Sequence, residues 1–151
     1  AYRCAMLGRD EEAAGSFEHA LRIRPGNCDI HYNLGFIQAR RGRHPEAIEH
    51  FSRATELNVH HDLAWYGMGL AQATLGDHHA AKEAFERAAK LQPMGAPSWY
   101  QLGMACFHAH DPKRLREVIH HLNRFDPKMA RRLILETGTS DLAHLVKDLV
   151  V

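Results

Sequence analysis

The chain has no long apolar run. Nowhere does it reach the roughly 18–20 consecutive apolar residues needed to cross a bilayer, so no direct membrane insertion is expected. It lacks an excess of one charge: 19 Lys and Arg face 18 Asp and Glu, for a net charge of +1. No global field therefore draws it to nucleic acid or anionic lipid. Cysteine is scarce. Cys4, Cys28 and Cys106 are odd in number and far apart, which argues against a disulfide framework and for a reducing compartment, the cytoplasm first. No charged-then-apolar leader opens the chain. No Gly-rich phosphate loop, nucleophile elbow or metalloprotease helix is present, so no enzyme activity and no cofactor are expected. No segment alternates as a strand would. What remains is an ordinary soluble composition, 45% apolar and 25% charged over 151 residues, enough for one domain or a short solenoid.

What is present is a period of 34 residues. Sliding Asp62–Gly95 by that distance sets Trp65 on His31 and Trp99, and Gly69 on Gly35 and Gly103. Phe85 falls on Phe51 and Phe17, and Ala88 on Ala54 and Ala20. A fixed period of this size is the signature of a repeat architecture and outranks any local reading. At these residues the chain resembles the tetratricopeptide repeat family: a large residue at position 4, Leu-Gly at 7–8, Gly at 15, Ala at 20, an aromatic at 24, Ala at 27 and Pro at 32. The resemblance implies an all-α, right-handed α-solenoid of helix-turn-helix repeats.

In that register 1–27 is a partial repeat, 28–61, 62–95 and 96–129 are repeats, and 130–151 are C-terminal capping helices, the whole forming a single domain. Ala1 falls at position 8, so the chain reads as a piece of a longer protein. Its first helix is expected to stop at Leu7, with Gly8 turning the chain and a second helix running from about Asp10 to Ile23 on an Ala13, Phe17, Ala20 and Leu21 stripe. Gly42 and Gly76 break the next pairs, and Pro45, Asp77 and Asp111-Pro112 open helices. The fourth repeat departs from the pattern, with His110 at position 15 and Leu115 and Leu122 where alanines are usual. Asp126-Pro127 opens a further helix to about Glu136. Ser140-Asp141 starts a last one with Leu142, Leu145, Val146, Leu149 and Val150 on one stripe.

The resemblance also implies where a ligand would lie, in a concave groove lined by the first helix of each repeat. Carried onto this chain, the groove residues are Tyr32, Phe36, Arg40, Tyr66, Leu70, Thr74, Tyr100, Met104, Phe107 and His108. An aromatic and apolar ladder of this kind suits a peptide or amphipathic helix of a protein partner. Arg40 is expected to meet an acidic residue of that partner. The Lys, Arg and Asn set with which some family members clamp a chaperone's C-terminal carboxylate is absent apart from Asn33. Two other uses are expected as competitors: self-assembly into homo-oligomers through apolar ends, and a substrate-docking arm of a larger enzyme.

Thirteen histidines are many. Cys106 and His110 are spaced i, i+4 as a metal pair would be, but the doublets His60-His61, His78-His79 and His120-His121 send their side chains apart. The reading is a solvated, weakly basic surface with no metal site, whose charge climbs as pH falls through about 6.5. The basic clusters Arg40-Arg41-Arg43, Lys113-Arg114-Arg116 and Arg131-Arg132 are balanced by acids and read as solvated surface.

Overall fold

The computed structural model describes residues 2–138, with side chains from residue 8 onward. Among the described residues there are eight α-helices and no strand: α1 Tyr2–Ile23, α2 Cys28–Arg40, α3 His44–Leu57, α4 Asp62–Thr74, α5 His78–Leu91, α6 Ala96–His108, α7 Pro112–Phe125 and α8 Pro127–Thr137. The all-α expectation holds. The last expected helix, from Ser140, lies outside the described residues. No described helix is long and apolar enough to cross a membrane.

The helix starts follow local chemistry. Asn27 Oδ1 accepts from the backbone N–H of Asp29 and Ile30 at 3.0 and 3.2 Å. Asp77, Asp111 and Asp126 accept in the same way from Ala80, Arg114 and Met129, supplying partners for amides that a helix start leaves bare. The stops need left-handed backbone. Gly42 has φ +80° and Gly76 +84°, and His110 takes the same turn at +59°. There the Asp111 N–H reaches back to the Cys106 carbonyl at 2.9 Å, which closes the turn despite the missing glycine.

The first repeat differs from expectation. Gly8 does not turn the chain: α1 runs unbroken through it from Tyr2 to Ile23. A helical glycine costs only about 1 kcal/mol relative to Ala. The neighbouring positions carry neither a capping carboxylate nor a proline, since the place held later by Asp77 and Asp111 is held here by Arg9. Helix propagation meets nothing that stops it.

The chain forms two compact units, Ala1–Gly76 and Asp77–Val151. In the first, α2 packs against α1 and α3, and α3 against α4. Leu34, Ala47, Phe51, Ala54 and Ala64 are buried at its centre. The Phe51 ring fills the space of two missing methyl groups, because a Cβ on Gly35 or Gly67 would sit 2.8 or 2.7 Å from it. In the second, α6 packs against α5, α7 and α8 around Phe85, Trp99, Leu102, Ile119, Leu122 and Leu133.

Candidate functional site

In the first unit the sequence pattern and the structure meet at one surface. Phe36, Arg40, Leu70 and Thr74 line a concavity of about 300 Å³, together with Ala39, His44, Phe51, Gly67 and Ala71. Position along α2 and α4 sets the geometry: Phe36 and Arg40 are one turn apart, as are Leu70 and Thr74, so each pair shares a face. Phe36 is 51% exposed and Leu70 38%. Thr74 Oγ1 donates to the Leu70 carbonyl at 2.9 Å, which turns its methyl rather than its hydroxyl outward.

Arg40 lines this surface with its charge already matched. Its Nε lies 2.9 and 3.1 Å from the two carboxylate oxygens of Asp10 on α1, and its Nη2 also bonds that carboxylate. Asp10 is buried. The Arg40 guanidinium holds the Asp10 carboxyl below the ordinary carboxylate range. The guanidinium also lies over the Phe36 ring, 5.3 Å from its centre. The expected pairing of Arg40 with a partner's acid is thus met within the chain, and what faces outward is apolar.

The two tyrosines expected beside these residues do not line the concavity. Tyr32 packs on Phe51 and on His61, with ring centres 5.9 and 4.9 Å apart; burial, then the Asp62 charge, raises its phenol. Tyr66 is half-buried on α4.

In the second unit Tyr100 is taken up by α8. Its hydroxyl bonds Glu136, and Arg132 lies over its ring at 4.8 Å while bonding Glu136 at 2.8 Å. Leu133 of α8 fills the space above Gly103, where an added Cβ would come within 2.4 Å of it. Met104 is half-buried. Phe107 and His108 stay exposed, and His108 stacks on His78 at 4.7 Å with Phe107 edge-on at 5.3 Å. The ten expected residues therefore do not form one surface. Four share the first unit's concavity, and four lie on α6 with Tyr100 engaged by α8.

Sequence reasoning missed His44, Phe51 and Gly67 as walls and Asp10 as the partner of Arg40. A signal existed. Asp10 and Arg40 are thirty residues apart, as are His44 and Thr74, and His78 and His108. In this register the start of one repeat's second helix faces the end of the next repeat's first helix.

The histidines are not simply a solvated surface, which corrects that expectation. His31 meets His50, His61 meets Tyr32, His78 meets His108, and His121 lies on Trp99 at 4.0 Å. Imidazole has enough apolar face to pack wherever a ring fits. Nδ1 of His44 and of His78 is buried with no hydrogen-bond partner among the described residues. Among those residues no three His, Cys, Asp or Glu side chains converge as metal ligands do. Cys106 is buried, and burial pushes its thiol up to about 12, far from the range of a reactive thiolate.

Residues 27–94 match the tetratricopeptide repeat family. The chain therefore carries tetratricopeptide repeats, a class that generally serves protein–protein interaction. Its fold is similar to a crystal structure of MamA, with a TM-score of 0.78 and 21% identity over 93% of this chain and 86% of that one. It is similar also to a MamA RS-1 ArsTM double mutant, with a TM-score of 0.80 and 21% identity over 97% and 84% of the two chains. At such identity the likeness is one of fold. No curated protein matches the sequence.

Proposed function

We propose that this chain is a non-catalytic scaffold whose first unit holds a segment of a protein partner by a bulky apolar side chain. The observation that carries this reading is the concavity walled by Phe36, Leu70 and Phe51, with Arg40 neutralised at its edge by Asp10. Large apolar side chains left exposed around a hollow mark a surface that is covered in use. A non-catalytic role fits the inert Cys106 thiol and the carboxylates engaged in ion pairs, Glu86 with Arg114 and Asp111 with Lys82.

The test is selection from a displayed library of random helical and extended peptides, comparing the wild type with Phe36→Ser/Leu70→Ser. Both residues are exposed, so the double variant keeps the core intact. Peptides with a Leu, Met or aromatic anchor, held by the wild type and lost by the folded variant, support the reading. Equal capture by the two, or selection of acidic peptides without an apolar anchor, overturns it.

A further inference from the structure

His31 stands where later repeats carry Trp65 and Trp99. All three rings reach the carbonyl six residues earlier. Trp65 Nε1 donates to Val59 at 2.9 Å, Trp99 Nε1 to Pro93 at 2.9 Å, and His31 Nε2 lies 3.2 Å from the Pro25 oxygen. A carbonyl oxygen only accepts. His31 therefore carries its hydrogen on Nε2 and presents a bare lone pair at Nδ1. That nitrogen faces Nδ1 of His50 at 3.4 Å. His50 in turn occupies the position of Ala84 and Val118 in the later repeats. A large ring and a small aliphatic group have been exchanged for two imidazoles.

The two rings meet almost head-on, since a centroid separation of 5.7 Å is what nitrogens 3.4 Å apart and pointing at each other produce. One hydrogen fits between them. A metal does not fit in line, because two bonds of about 2.0–2.1 Å need a gap of about 4 Å.

We propose that His31 and His50 hold a single proton between them and form an acid-sensitive latch joining α2 to α3. In the neutral pair His50 Nδ1–H donates to His31 Nδ1. A first added proton settles on His50 Nε2, or on His31 with the bond reversed, and one N–H still lies between the nitrogens. A second sets two N–H donors and two like charges against each other, and the latch opens. The charged groups around the pair are Glu18 from α1 and Glu49, Arg53 and Glu56 from α3. Among the described residues α4 supplies none of the charges that act on His50. Glu49 and Glu18 favour a proton on His50, but burial, then His31 itself, outweigh them and hold the imidazole below its ordinary range. The open concavity of about 560 Å³ beside the pair gives water and protons a route in.

The sign follows from linkage. Unfolded, both histidines take protons near pH 6.5; folded, the pair resists the second. The stability this arrangement gives is present above about pH 6.5 and is lost as pH falls.

The test uses the full chain with His31→Trp and, separately, His50→Ala. Each installs a residue that the chain itself uses at the same repeat position, and the first retains a ring N–H for the Pro25 carbonyl. Urea unfolding is measured at about pH 7.5 and about pH 5.5. The wild-type folding constant is expected to fall about tenfold more than that of either variant, one proton's worth over the interval. Falls equal within about twofold overturn the latch. Nitrogen NMR of the wild-type imidazoles gives a second reading at neutral pH: His31 protonated at Nε2 and bare at Nδ1 supports it, and the opposite tautomer overturns it.

Discussion

His110 shows how one residue carries the strain of a missing glycine. It sits in left-handed backbone at φ +59°, where Gly42 and Gly76 sit without penalty. A side chain in that region costs about 1–2 kcal/mol, and a glycine gives part of that back to the flexibility of the unfolded chain. His110→Gly is therefore expected to raise stability by about 0.5–1 kcal/mol, seen as a higher urea midpoint at unchanged slope. A lower midpoint would mean that the ring makes contacts worth more than the strain. Asp10 is a second case. With its carboxyl held low by Arg40, the ion pair is intact above the ordinary carboxylate range near 4 and is lost as pH falls below it. Replacing Asp10 by Asn frees Arg40, so an anchored peptide with Glu beside its apolar residue should bind the variant several-fold more tightly at low salt, by about 1 kcal/mol or less for so exposed a cation. Titration calorimetry with and without added salt checks this; equal affinity would show that Arg40 does not face the ligand.

Among the elements, α3 is held by one ring. Phe51 lies against the bare backbone of α2 at Gly35 and of α4 at Gly67. Helix propensity alone favours Ala at either glycine by about 1 kcal/mol. Sterics oppose it, because the added methyl would stand 2.7 Å from the Phe51 ring at Gly67 and overpacking costs about 1–3 kcal/mol. Gly67→Ala is expected to destabilise, whereas Gly15→Ala on the open face of α1, where nothing lies within 4 Å, should stabilise by about 0.5–1 kcal/mol. Thermal melts of the two variants, moving in opposite directions, check the pair. The same contrast explains what could be read beforehand. Helix pairs announced themselves through the 34-residue recurrence of Gly, Ala and Phe, since packing demands small and large residues at fixed places. The continuity of α1 did not, because Gly8 looks the same in a sequence whether it turns a chain or lies within a helix; only the absence of a capping residue at Arg9 distinguishes the cases.

Across the whole molecule the histidines set the response to acid. Thirteen of them can each add a charge to a net of +1, so self-repulsion grows as pH falls through about 6.5. The melting temperature is expected to drop between neutral pH and about 5, and added salt to restore part of the loss. A flat profile in calorimetry would contradict this. The candidate site was half legible at this scale. Phe36 and Leu70 followed from register alone. The closure of Arg40 by Asp10 and the capture of Tyr100 by Glu136 depend on contacts with α1 and α8, whose sequences carry the weakest repeat pattern and so the least information about what they touch. The thirty-residue spacing supplies some of what was missing. Asp10 with Arg40 is a salt bridge, His44 with Thr74 a pair of walls, and His78 with His108 a stack. One geometric slot thus accepts three different chemistries without altering the helices that present it. Such a slot is an interchangeable cassette: exchanging the two residues at one rung would rewrite the polarity of that stretch of surface while leaving the scaffold beneath it untouched.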